Sequence, residues 1–79
     1  MQVRLKLSGL LREYYQHRPY PREEKVDLTN GSTVADLFDQ YEIPYDRVHI
    51  LIVNRHHADL GTSLKEGDEV WALPLAAGG

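Results

Sequence analysis

The stretch "NGSTVADLFDQY", residues 30–41, decides how this chain folds. Asn30-Gly31 is a strong turn signal. Thr33 then stands where a helix N-cap accepts a hydrogen bond, and Asp36 occupies the acid position of a capping box three residues later. Val34, Leu37, Phe38 and Tyr41 recur at i, i+3, i+4 and i+7, which lays one apolar stripe along a helix, while Asp36, Asp39 and Gln40 face away. Pro44 should close this helix by Ile43. One amphipathic helix needs an apolar surface to cover, and the sequence on either side supplies strands.

Toward the start, Val3, Leu5 and Leu7 alternate with Arg4 and Lys6, the period of a half-buried strand, and Ser8-Gly9 breaks it. Residues 10–15, LLREYY, read as a short helix with Leu10, Leu11 and Tyr14 on one face, ended before Pro19 and Pro21. Residues 24–28 form a second strand with Val26 and Leu28 on one side. Beyond the helix, VHILIV (48–53) is short, β-branched and apolar on both faces. Residues 54–62 read as a polar loop, Glu66-Gly67-Asp68 as a turn, and a last strand runs from Glu69 to about Leu73. This predicts a two-layer α+β domain, a sheet of four or five short strands with one main helix on one face. In the last strand Val70 and Ala72 suit the helix side, leaving Trp71, Leu73 and Leu75 on an open face fit for a partner. Alternation alone also admits the opposite parity, with Trp71 in the core.

Composition narrows the function. The 79 residues include no cysteine, so a disulfide, a thiolate metal site and an internal thiol nucleophile are excluded. The net charge of −3, with acids mixed into every basic stretch, speaks against nucleic acid. No apolar run reaches the ~20 residues of a membrane span, and the first residues alternate rather than forming a signal peptide, so a cytoplasmic chain is expected. His56 and His57 are adjacent in an extended loop and point apart, which does not suit one metal ion; no metal site is expected. His49 is expected to be partly buried and His17 to sit among loop charges. Asp36/Asp39 and Glu23/Glu24 read as solvated carboxylates, and catalysis within so small a chain is not expected.

The end of the sequence, ALPLAAGG (72–79), carries the remaining chemistry. It is either a frayed terminus or a probe. After Pro74, five residues reach ~16–18 Å when extended, and Ala76-Ala77-Gly78-Gly79 is slim enough to thread another protein's active site. The reactive group such a probe delivers is the Gly79 carboxylate, a poor acyl donor until ATP activates it.

"GLLREYY", "NGSTVADLF" and "LKEGDEVWALPLAAGG", in this order and spacing, resemble the MoaD/ThiS family of ubiquitin-like sulfur carriers across nearly the whole chain. The resemblance implies a β-grasp domain over 1–75, with first and last strands parallel neighbours, and a flexible tail over 76–79. It implies a non-catalytic carrier with no bound cofactor. Gly79 would be adenylated by a ubiquitin-activating-type enzyme using ATP, and sulfur from a persulfide donor would convert it to a thiocarboxylate, a C-terminal 1-thioglycine. The early short helix and the Pro-x-x-Ala-Gly-Gly ending look like the small subunits of molybdopterin synthase, with a larger catalytic synthase subunit as partner. Leu75-Ala76 stands where that branch commonly has Pro-Val, and the loop "NRHHADLGTSL" is unusual. A thiamine-type or other specialised carrier, or a ubiquitin-like modifier forming isopeptide bonds, are the alternatives.

Overall fold

The computed structural model describes residues 1–75. Five strands, β1 (Gln2–Leu7), β2 (Glu24–Asp27), β3 (Val48–Val53), β4 (His56–His57) and β5 (Glu69–Pro74), form one sheet in the order β2-β1-β5-β3-β4. β1 and β5 are parallel, with Leu5 opposite Val70 and Leu7 opposite Ala72; the other pairs are antiparallel. A single α-helix among the described residues, α1 (Val34–Tyr41), packs on one face. This is the β-grasp arrangement expected from the sequence.

Helix α1 forms where the apolar stripe predicts, with Val34, Leu37, Phe38 and Tyr41 all buried. Its capping box is complete: Asp36 N–H donates to Thr33 Oγ1 at 3.3 Å, and Thr33 N–H donates to Asp36 Oδ2 at 2.8 Å. The next two orphan donors are satisfied from outside the helix. Val34 N–H reaches the Thr62 carbonyl (3.0 Å) and Ala35 N–H the Leu60 carbonyl (2.9 Å). The helix stops at Tyr41, within the limit Pro44 sets, because Glu42 turns left-handed at φ 56° and Ile43 N–H bonds back to the Phe38 carbonyl.

The core is built from the inward positions of the strands. Val3, Leu5 and Leu7 of β1, Val26 of β2, and Val70 and Ala72 of β5 are buried against the helix. The parity left open by alternation is therefore settled by the small residues facing α1. Residues 10–15 depart from expectation. Gly9–Tyr14 is a 3₁₀ helix; Leu11 is buried while Leu10 is 73% exposed, and the second core anchor is Tyr15. At ~120° per residue, adjacent Leu10 and Leu11 cannot share a face. Tyr15 accepts from Leu7 N–H at 2.7 Å and donates to the Arg22 carbonyl at 2.8 Å, tying the long β1–β2 connection to the sheet.

Glu24, expected to be solvated, is buried. Its carboxylate accepts from Tyr41 Oη (2.8 Å), from the backbone N–H groups of Gln16 (3.2 Å) and His17 (2.8 Å), and lies 2.6 Å from His17 Nδ1. Burial pushes this carboxyl up, but the bonds from the His17 ring, the two amides and the tyrosine outweigh it and hold it below its ordinary value. Two further expectations fail at the opposite edge. Residues 54–62 are not all loop, since His56 and His57 form the edge strand β4. Asn54 and Arg55 (φ 51° and 71°) make the two-residue left-handed turn that joins it to β3. His49 is exposed, at a register shift in the β3–β5 pairing between Val48 and Ile50.

Candidate functional site

The site is assembled where β5 crosses the open face and leaves the sheet. Trp71 and Leu73 alternate with buried Val70 and Ala72, so both point away from α1, half-exposed. The β3–β5 register sets Ile52 opposite Trp71 and Ile50 opposite Leu73. Directly opposed residues share a face, and these four side chains form one apolar patch on the uncovered side. Lys6, opposite Trp71 in β1, holds its ammonium 4.3 Å from the indole centroid. The indole N–H donates to Ser8 Oγ at 2.7 Å, so Trp71 is fixed in orientation although solvent reaches it.

At the end of β5 the chain passes between the two 3₁₀ segments, Gly9–Tyr14 and Tyr45–Arg47. Leu10, Leu11, Asp46 and Arg47 line a groove with Pro74 and Leu75. Leu75 is 67% exposed, so of the three docking residues expected, Trp71 and Leu73 sit on the sheet face and Leu75 at its exit. Gly9 makes this exit possible. It has φ +57°, and a Cβ there would stand 2.9 Å from Pro74 Cγ. Arg47 and Glu13 approach to 3.9 Å on the same end, an exposed pair worth little energetically. Gly79, Ala76, Ala77 and Gly78, expected to carry the chemistry, lie outside the described residues.

Sequence reasoning missed Ile50, Ile52 and Leu10. The two isoleucines are legible as apolar residues of a strand hydrophobic on both faces, whereas helical spacing puts Leu10 on the buried face and the 3₁₀ turn exposes it. The remaining ionisable pairs serve structure. Asp36 caps α1, and Asp39 accepts from Tyr45 Oη at 2.5 Å, a bond to a carboxylate that raises this exposed phenol above its ordinary value. Among the described residues no group of three or more His, Asp or Glu is placed to hold a metal ion. No helix among them is long and apolar enough to cross a membrane.

This architecture has relatives. The chain is 34% identical to the molybdopterin synthase sulfur carrier subunit of Mycobacterium tuberculosis, an alignment covering 100% of this chain and 99% of that protein. Its fold matches the crystal structure of SAMP1 from Haloferax volcanii with a TM-score of 0.73 and 25% identity, over 100% of both chains. It also matches a chain from the protein–protein complex of subunits 1 and 2 of molybdopterin-converting factor from Helicobacter pylori, with a TM-score of 0.66, 21% identity and 100% coverage of each chain. The family model described as "ThiS family" matches residues 5–79, through the two final glycines. With that match spanning nearly the whole sequence, the chain belongs to the ThiS family.

Proposed function

We propose that this protein is a cytoplasmic sulfur carrier whose Gly79 carboxylate is activated as an acyl-adenylate and converted to a thiocarboxylate for cofactor biosynthesis. The observation that carries this reading is the end-to-end 34% identity to a molybdopterin synthase sulfur carrier subunit. Molybdopterin is accordingly the product proposed, and a larger synthase subunit the partner on the Trp71–Leu73 face. The complex of subunits 1 and 2 in the Helicobacter pylori structure supports that kind of partner.

The chemistry balances without a side-chain nucleophile in this chain. A carboxylate oxygen of Gly79 attacks the α-phosphate of ATP, and pyrophosphate leaves. The terminal sulfur of a persulfide donor then attacks the acyl carbon and expels AMP, and a second thiol attacks the donor's inner sulfur, forming a disulfide with the donor as the thiocarboxylate leaves. The lack of cysteine means that no thiol of the carrier competes for the activated acyl group. The carrier supplies the reacting carbon on a slim tail, held at its base by Pro74 against Gly9, and an apolar face for docking. It is a co-substrate of its partner enzymes and does not itself catalyse the transfer.

Mass spectrometry tests the reading. After incubation with an adenylating enzyme of the ubiquitin-activating type, ATP and a persulfide donor, the protein should gain the mass difference of one oxygen replaced by sulfur, located to Gly79. Deleting Gly79 should abolish the gain with an unchanged fold. Lysine-linked adducts on other proteins in place of the gain would make the chain a modifier, and an unchanged mass would refute activation altogether.

A further inference from the structure

Three of the nine Lys and Arg residues line one cleft at the corner of the sheet, separate in its lining from the groove where β5 exits. β2 pairs with β1 only as far as Glu24 opposite Leu5, so the last residues of β1 face the long connection instead of a strand. The cleft lies there, lined by Lys6, Leu7, Arg12, Pro21, Arg22 and Glu23. In a chain of net charge −3, gathering three cations this way is a local reversal of sign.

Lys6 and Arg12 are held but not satisfied, and Arg22 is unpaired among the described residues. Among the described residues, none of Lys6, Arg12 and Arg22 has a carboxylate within ion-pair distance or a side-chain hydrogen bond. Glu23, the one acid in the lining, lies 3.8 Å from Arg4 instead. Arg18 shows the alternative fate of a cation in this region, its guanidinium spent on the Glu13 and His17 carbonyls at 3.1 Å each and on the Tyr15 carbonyl. Lys6 is parked over the Trp71 ring at 4.3 Å, and Arg12 over Tyr20 at 5.5 Å. An aromatic face fixes a cation without consuming its N–H donors. The result is a set of unspent donors, two of them oriented by aromatic rings.

From this we infer that the Lys6–Arg12–Arg22 cleft is a binding site for a phosphate-type oxyanion. Guanidinium forks pair two N–H groups with two oxygens of one phosphoryl group, and the ammonium adds a point charge. The shared chemistry is the phosphoryl group, whether free as phosphate or pyrophosphate or borne by a nucleotide. The inference is independent of the sulfur-carrier reading, since it concerns binding alone and would stand if Gly79 were never activated.

The test is a backbone amide NMR titration of the full chain at constant ionic strength. Inorganic phosphate, pyrophosphate and AMP are compared with chloride. Saturable shifts at Leu7, Arg12 and Arg22 are expected with the phosphoryl ligands and not with chloride. Response to AMP alone assigns the site to a nucleotide, and equal response to inorganic phosphate assigns it to the free anion. Arg12→Gln and Arg22→Gln should each weaken binding by about tenfold, the scale of one charge-assisted hydrogen bond. Lys65→Gln, which removes the same charge at the opposite end of the sheet, should leave it unchanged. Shifts that are absent, that chloride reproduces, or that saturate at the same ligand concentration in Arg12→Gln as in the native chain would overturn the assignment.

Discussion

Replacing Gly9 by alanine should destabilise the domain through two separable causes that meet at the base of the tail. The first is backbone conformation. Gly9 has φ +57°, a left-handed region that costs an L-residue about 1–2 kcal/mol. Loss of glycine's freedom in the unfolded chain returns about 0.4–1 kcal/mol of that. The second is contact, since the new Cβ would lie 2.9 Å from Pro74 Cγ, part of a ring that cannot rotate aside. Overpacking of this kind costs about 1–3 kcal/mol. The net expectation is a loss of roughly 2–3 kcal/mol, out of the roughly 4–12 kcal/mol usual for a chain of this length. In a domain of this size that lowers the thermal midpoint on the order of 10–20 °C.

Circular dichroism melts of Gly9→Ala, Pro74→Ala and the double variant separate the two terms. Removing the proline ring should relieve the contact but not the backbone strain, giving a coupling energy of about 1–2 kcal/mol between the two sites. Gly9→Asn, whose side chain tolerates the left-handed region, should fall between glycine and alanine. A Gly9→Ala midpoint within about 2–4 °C of the native protein, equivalent to about 0.5 kcal/mol, would refute the reasoning. Additive single variants would refute the contact while leaving the backbone term standing.

Three more outcomes follow from the geometry. Leu73→Asp, on the open face, should weaken calorimetric binding to a larger synthase subunit by about thirtyfold, as for an interface anchor worth about 2 kcal/mol. Its own melting point should fall by less than that of Gly9→Ala, and the reverse order would contradict the open-face placement. Glu24 is held below its ordinary value in the fold. Its stabilisation is therefore full above the unfolded carboxylate range and lost as pH falls from there through the lower folded value. Urea midpoints of Glu24→Gln should show a loss of about 1–3 kcal/mol at pH 7 and a shallower decline toward acid than the native protein; parallel declines would remove Glu24 as the cause. Thr33→Ala, which deletes the N-cap acceptor for Asp36 N–H, should cost about 1 kcal/mol, read as a midpoint lower by about 4–8 °C.

Most of the fold is legible in local pattern, because helix and strand periods are written in side chains a few residues apart. The stripe from Val34 to Tyr41, its Thr33–Asp36 cap and the alternation of β1 need nothing beyond the chain itself. What misleads is chemistry satisfied from a distance. Glu24 reads as a surface acid because its four partners, at Gln16, His17 and Tyr41, converge only when the long connection folds over the sheet. β4 reads as loop because its turn uses Asn54-Arg55 in place of the Asn-Gly that marks such turns, and because two residues are too few to show a period.

By itself, then, the sequence determined a sheet-forming domain with one main helix and no thiols, and a stretch of small residues, Ala-Ala-Gly-Gly, at 76–79. Tertiary structure alone decided which side of β5 faces the helix, since period-two alternation is symmetric until something is packed on one face. It also decided that Ile50 and Ile52 join Trp71 and Leu73, a matter of cross-strand register between segments about twenty residues apart. And it alone brought Lys6, Arg12 and Arg22 to one cleft, because charges scattered along a chain become a site only when the backbone gathers them.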